Sequence, residues 1–206
     1  VSGSDDKVGG LVGSNERGAA IRNGEASGNV SGASMVGGLA GYNSSLLQDS
    51  TARGNVTASG NDAGGVVGLN QSQDGTARIV SSTASGNVSG RYNVGGVAGR
   101  NEASMGMAQI SNSSASGQVQ ASQQYAGGVV GYNLSTSETA SALVQDSRSS
   151  SQVSAANVAG GVAGRQGGDQ AALDNSTFGG AITVDGQGVA RVAGGIVGQL
   201  DGGSIS

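Results

Sequence analysis

The chain has 206 residues and a net charge of −4, and its 41 glycines accompany one phenylalanine and no tryptophan, histidine, cysteine or proline. The dispersed arginines offer no basic stripe to nucleic acid, and no stretch approaches the ~18 apolar residues that insert into a membrane. Without histidine or cysteine, histidine-based zinc sites, Ser-His-Asp triads and thiolate centres are excluded, so we expect no enzyme, catalytic residue, metal site or cofactor.

The first element in chain order is a Gly-Gly-aliphatic-small-Gly block, which opens at residue 9 and occurs seven times. Consecutive copies start 27 to 34 residues apart, at Gly9, Gly37, Gly64, Gly95, Gly127, Gly160 and Gly194. A period of this length is typical of repeat architectures, in which each unit packs on its neighbours.

The second element is a block that opens with an aliphatic residue, has Asn or Asp two positions later in five of its six copies, and continues towards Ala-Ser-Gly-Asn-Val. Its six copies start at Ile21, Leu47, Ile79, Ile110, Val144 and Leu173. Internal spacing is constant within a copy, whereas the length between the glycine block and this second block varies. We therefore expect one variable loop per repeat, notably at residues 71–78, 102–109 and 134–142.

Fixed short strands with one variable loop predict an all-β fold, a β-solenoid of about seven stacked glycine-rich coils with roughly three short strands per coil. Helix is disfavoured because each glycine costs about 1 kcal/mol in a helix interior. We expect residues 1–206 to form a single repeat domain, a fragment of a longer array, with coils that begin near residues 9, 37, 64, 95, 127, 160 and 194.

The residues that we expect to build each coil are best seen in its central copies. They are the paired glycines, the aliphatic residue, the third glycine and the asparagine that follows: Gly37, Gly38, Leu39, Gly41, Asn43, Gly64, Gly65, Val66, Gly68, Asn70, Gly95, Gly96, Val97, Gly99 and Asn101. Stacked amides can hydrogen-bond along a ladder, so the asparagine row predicts bonded corners. This row is interrupted at Gln166 and Leu200.

One row of the repeat is chemically free and is expected to face outward. It contains Ser14, Tyr42, Leu69, Arg100, Tyr132, Arg165 and Gln199. Tyrosine and arginine are favoured at binding surfaces, so Tyr42, Arg100, Tyr132 and Arg165 form a candidate binding row. The alternative is an ordinary exposed row without a ligand.

The copies VGGLVGSN, VGGLAGYN and VGGVAGRN, which alternate with NGEASGNV and SSTASGNV, resemble the GLUG-motif repeat family of bacteria. The resemblance covers nearly the whole chain. It implies a large secreted or surface-attached protein, such as a haemagglutinin-like adhesin or the non-catalytic part of an IgA-specific zinc peptidase. It also implies an extracellular location at the bacterial cell surface and a role in cell adhesion or biofilm.

Three functions remain open from the sequence. The leading hypothesis is a passive stalk or adhesin segment whose partners are flanking repeats of the same polypeptide. The first alternative is a module whose variable loops bind a host surface glycan or protein. The third is a β-helical polysaccharide-active enzyme that draws acidic residues from different coils, and incidental calcium binding by Asp74 or Asp169 also stays open.

Overall fold

The computed structural model describes residues 1–186 and 191–206, so residues 187–190 of the expected repeat domain lie outside the described residues. Parallel strands stack in five ladders, and these ranges contain no helix. The described residues therefore contain no helix that is long and apolar enough to cross a membrane. The predicted all-β solenoid is confirmed, with six complete coils and three strands of a seventh.

Every coil contributes its strands to the ladders in the same order. The first ladder consists of Val8–Gly9, Val36–Gly37, Ala63–Gly64, Asn93–Gly95, Tyr125–Gly127, Val158–Gly160 and Val192–Gly194. The second ladder consists of Val12–Asn15, Ala40–Asn43, Val67–Ser72, Ala98–Ala103, Val130–Ser135, Ala163–Gly167 and Val197–Leu200. The third ladder consists of Ala20–Arg22, Leu46–Gln48, Thr76–Val80, Gly106–Ser111, Ala140–Gln145, Ala171–Asp174 and Ser204–Ile205.

The remaining two ladders complete the circuit of each coil. The fourth consists of Glu25–Ala26, Thr51–Ala52, Thr83–Ala84, Ser114–Ala115, Arg148–Ser149 and Thr177–Phe178. The fifth consists of Val30–Gly32, Val56–Ala58, Val88–Gly90, Gln118–Ala121, Gln152–Ala155 and Ala181–Val184. The second, third and fifth ladders hold the longer strands and correspond to the three strands expected per coil. The first and fourth are short connecting ladders with strands of two or three residues.

The glycine block lets the first and second ladders pack backbone against backbone. A Cβ atom added to Gly64 would overlap the carbonyl oxygen of Val67 and would lie 2.8 Å from the Cα of Ala98 in the next coil. A Cβ added to Gly68 would overlap the backbone of Met35 in the preceding coil. Only glycine fits at these positions, because a side chain would have to displace backbone atoms.

Two rows of aliphatic side chains fill the interior between the second, third and fourth ladders. The first row follows the paired glycines and the second opens the other block; their fully buried members include Leu39, Val66, Val97, Val129, Val162, Leu47, Ile79, Ile110 and Val144. A separate core of Val, Ala and Ile residues lies between the first and fifth ladders. At roughly 1.5–3 kcal/mol for each fully buried aliphatic side chain, these stacked rows supply the main stabilisation.

A buried ladder of side-chain amides runs along the corner between the second and third ladders, as the sequence predicted. The Nδ2 groups donate to the Oδ1 atoms of the next coil over 2.6 Å from Asn15, 2.6 Å from Asn43, 2.7 Å from Asn70 and 2.8 Å from Asn101. Gln166 occupies the next position and is fully buried, although Asn133 Nδ2 is 3.5 Å from its Oε1. Glutamine therefore continues the row with a weaker bond.

The corner between the third and fourth ladders has a left-handed backbone. Its φ angles lie between 43° and 51°, at Asn23, Asp49, Ser81, Asn112, Asp146 and Asn175. Asn and Asp tolerate this conformation better than other residues with a side chain, which accounts for their recurrence here. Each is followed by a residue that is serine in five coils, and the hydroxyl of Ser82, for example, accepts a bond from the N–H of Ser50 over 3.2 Å.

The segments expected to be variable loops are mostly strands. In the third, fourth and fifth coils the second and third ladders lengthen to five or six residues, which leaves short turns at residues 73–75, 104–105 and 136–139. Buried alanines, including Ala103, Ala108 and Ala140, pack between the two extensions. We call this projection the ridge. The loop prediction was wrong here because the inserted residues pair in register with the neighbouring coils.

Candidate binding groove

The candidate binding row lies in one register line of the second ladder. Tyr42 pairs with Leu69, Leu69 with Arg100, and Arg100 with Tyr132, which in turn pairs with Arg165. The expectation that the row faces outward is wrong for Tyr42 and Leu69, whose exposures are 8% and 5%. The side chains of Arg100, Tyr132 and Arg165 are half-buried.

Tyr42 is separated from the other members of the row. The Nζ of Lys7 lies 4.4 Å above the centre of its ring, and its hydroxyl is 3.4 Å from Oε1 of Gln71. Burial raises the pKa of the Tyr42 hydroxyl above its ordinary value. The structure therefore places Tyr42 in a packed corner of the fold.

Arg100, Tyr132 and Arg165 line one open groove together with residues at the edge of the first ladder. The groove has a volume of about 450 Å³. Its walls consist of tyrosines, arginines and side-chain amides, namely Asn61, Tyr92, Asn93, Arg100, Gln124, Tyr125, Tyr132 and Arg165. We call it the tyrosine groove, because it collects three of the four tyrosines in the chain.

The rings of Tyr125 and Tyr132 are tilted at 45° to each other, with centres 5.9 Å apart. The guanidinium carbon of Arg165 lies 5.3 Å from the centre of the Tyr125 ring and 4.8 Å from that of Tyr132. One of its nitrogens donates to the Tyr125 hydroxyl over 3.1 Å, and another bonds Asp201. Arg165 makes cation–π contacts with both rings and also bonds the Tyr125 hydroxyl, and together these contacts fix the orientation of the rings.

Arg100 sits between two acidic side chains at the floor of the groove. Its guanidinium is 3.0 Å from Asp62 and 3.0 Å from Glu102, whose side chains are 4% and 11% exposed. Asn93 adds a 2.7 Å bond to the other oxygen of Asp62. Buried carboxylates need such partners, because an unpaired charge in a low-dielectric environment is costly. Arg100 is thus held by the fold and presents only part of its guanidinium to solvent.

Sequence reasoning missed Tyr92, Tyr125 and Asp62, which lie in or just before the first ladder. For Asp62 and Tyr125 the signal was present two positions before the glycine pair, where the repeat has Lys7, Met35, Asp62, Asn93, Tyr125, Val158 and Val192. This row is as variable as the row after the block, although it holds fewer polar or aromatic residues. Backbone packing of the first two ladders is what brings the two rows together.

Asp62 is expected to make the free energy of unfolding depend on pH. Burial raises the pKa of its carboxyl above the ordinary value, against the opposing influence of Arg100 and Asn93. Between the two pKa values the folded chain holds a proton that the unfolded chain has lost, so stability falls as pH rises through that interval. We expect the unfolding free energy of the wild type, relative to Asp62→Asn, to decrease from about pH 4 upwards and then level off.

The Asp62→Asn variant is a suitable reference, because asparagine also tolerates the left-handed φ of 58° at this position. Urea unfolding of both proteins at a series of pH values measures the difference. A wild-type advantage that grows with pH would contradict the expectation, since attraction to Arg100 would then outweigh burial.

The acidic residues of the described ranges are dispersed. Residues 1–186 and 191–206 contain no group of three or more acidic side chains placed to hold a metal ion. Asp74, one of the two residues considered for calcium, bonds Arg17 over 2.6 Å. The other, Asp169, is exposed.

Comparisons with known proteins concern the repeat and the fold. The sequence model of the GLUG motif matches residues 7–31, 32–57 and 90–120. Halomucin of Haloquadratum walsbyi (strain DSM 16790 / HBSQ001) is 39% identical over 94 residues, and the match covers 42% of this chain but 1% of halomucin. The chain therefore spans a very small part of that relative.

Among solved structures, a Bacteroides ovatus protein named as a candidate immunoglobulin A1 protease shares the fold, with a TM-score of 0.52 and 17% sequence identity. The match covers 93% of this chain and 68% of that one. The motif matches lie in the first, second and fourth coils, and the other coils stack on them in the same register. The chain thus contains GLUG-motif repeats, and its other coils share their fold.

Proposed function

We propose that the chain is a non-catalytic structural or adhesive segment of a large surface or secreted protein, in which the stacked coils act as a stalk or attachment module. The observation that carries this proposal is the continuity of the ladders, which run in register from the first coil to the last described one. The match to halomucin supports a surface location, and the GLUG repeats support a repeat region without chemistry of its own.

A stalk must keep its length under load, and the ladders of this chain suit that task. Each coil bonds to its neighbours through five short ladders, while the buried amide row adds a side-chain bond at every coil from Asn15 to Asn101. Because each coil contacts mainly its neighbours, stability is distributed along the rod and no single core has to form first.

Pulling the two ends of the chain apart should therefore unravel it one coil at a time. A coil of about 30 residues has a stretched length of roughly 100 Å, so we expect repeated extension steps near that value. Single-molecule force spectroscopy on the chain held between two marker domains measures these steps. Release of the whole chain in one event of about 700 Å would contradict the proposal that load is borne coil by coil.

The proposed location has its own test. Antibodies raised against the folded chain should label intact, unpermeabilised cells of the organism that produces it, or the medium in which the cells grow. Labelling that requires permeabilisation of the cells would overturn a surface or secreted role, whatever the mechanical experiment shows.

A further inference from the structure

We propose that the tyrosine groove is a saccharide-binding site that takes a neutral pyranose unit of a glycan. This inference goes beyond the structural role above and does not depend on it. It places binding at Arg100, Tyr132 and Arg165 of the candidate binding row, and away from the ridge, where the variable-loop hypothesis had put it. The groove is an open cleft of about 450 Å³, which is within the range of roughly 300–1,000 Å³ common for ligand sites.

The distribution of aromatic residues is the first argument. The chain has only five aromatic side chains, and Tyr92, Tyr125 and Tyr132 all line this groove. All three are half-buried, so part of each side chain remains accessible. A flat ring with an electron-rich face attracts the weakly positive C–H groups on one side of a pyranose, and it can do so with little loss of conformational entropy.

The remaining groove residues suit a ligand rich in hydroxyl groups. Asn61, Asn93 and Gln124 add side-chain amides, which both donate and accept hydrogen bonds, and the two arginines add donors in a fixed planar arrangement. Among the described residues, none with an aliphatic side chain lines the groove. A standard protein interface takes about 20–30 residues from each partner, far more than the eight that line this groove, which makes a saccharide the better match.

The balance of charge favours a neutral saccharide over an acidic one. Arg100 is paired with Asp62 and Glu102, and Arg165 is paired with Asp201. The positive charges at the groove are thus already met by carboxylates. A carboxylated or sulfated sugar would have to approach these negative groups, so its charge would gain little there.

The test is binding of the purified chain to an array of glycans with one neutral arm and one carboxylated arm. We expect binding to members of the neutral arm, followed in solution by calorimetry with the free trisaccharide that corresponds to the best neutral glycan. A Kd of about 1 mM or tighter is the expected range for a shallow site of this kind. A change in tyrosine fluorescence should accompany binding, because three of the four tyrosines line the groove.

Two groove variants and one control sharpen the test. Tyr92 lies in a bend outside the strands, so Tyr92→Ala should leave the ladders intact and weaken binding at least tenfold. Tyr132→Phe keeps the ring and should retain most of the affinity. Met105→Ala alters a 57% exposed side chain on the ridge and should change nothing. Circular dichroism confirms that each variant is folded.

Four outcomes would overturn the proposal. They are the absence of binding in both arms, binding confined to the carboxylated arm, binding that Tyr92→Ala leaves unchanged in a folded chain, and binding that Met105→Ala abolishes. Recognition of an aromatic or acidic peptide in place of every glycan would likewise overturn it, in favour of a protein partner.

Discussion

Replacement of Gly64 by alanine is expected to lower the free energy of unfolding by about 3 kcal/mol or more. The added Cβ would overlap the carbonyl oxygen of Val67 and would lie 2.6 Å from the nitrogen of Gly99 and 2.8 Å from the Cα of Ala98. All three obstacles are backbone atoms of paired strands, so relief requires the first and second ladders to separate. Urea unfolding monitored by circular dichroism measures the loss.

Gly28 provides a matched control for this substitution. A Cβ added there meets no heavy atom within 4 Å, and its backbone does not adopt a left-handed φ. Gly28→Ala should therefore leave stability unchanged or raise it by up to about 1 kcal/mol, because alanine restricts the unfolded chain. Equal losses in the two variants would show that the glycines matter for flexibility and not for close packing.

This contrast explains why the repeat could be read from the sequence. The block glycines are fixed by contacts that recur in every coil, and a recurring requirement leaves a periodic signal. The same holds for the buried row at Leu39, Val66 and Val97 and for the amide row at Asn43 and Asn70. Period, coil number and interior could therefore be predicted.

The tyrosine groove could be predicted only in part. Sequence reasoning selected Arg100, Tyr132 and Arg165 as one row, and the structure brings these three together. It could not pair them with Tyr125, because that contact depends on two ladders packing backbone to backbone. The spacing of residues along the chain does not show which two ladders pack together, because the glycines at this contact carry no side chains whose pattern could reveal it.

The short ladders and the ridge also could not be predicted from the repeat pattern of the sequence. The strands of the first and fourth ladders have only two or three residues and are too short to show alternation, so the sequence predicted only the three longer strands of each coil. The ridge appeared as loops because its inserted segments differ in sequence from coil to coil. Pairing depends on backbone groups, and dissimilar side chains therefore stack in register as long as their lengths agree.

The amide ladder leads to the second large effect, a loss of about 3 kcal/mol in the Asn101→Ala variant. Asn101 is fully buried; its Oδ1 accepts a bond from Asn70 over 2.7 Å, and its Nδ2 donates to Asn133 over 2.8 Å and to the carbonyl of Ala108 over 3.1 Å. Alanine leaves a donor and two acceptors without these partners in the interior. Each such group costs about 1–3 kcal/mol when water cannot reach it.

Asn87 is the matched control, because it is also an asparagine that bonds the next coil but differs from Asn101 in its burial. It also bonds the next coil, since its Oδ1 accepts the N–H of Gln118 over 2.9 Å, but this pair is exposed. Water can replace the lost partner in Asn87→Ala, so the cost should be about 1 kcal/mol or less. Urea unfolding of both variants decides the matter. If Asn101→Ala costs no more than Asn87→Ala, the amide row is not a source of rigidity, and the aliphatic rows alone hold the coils in register.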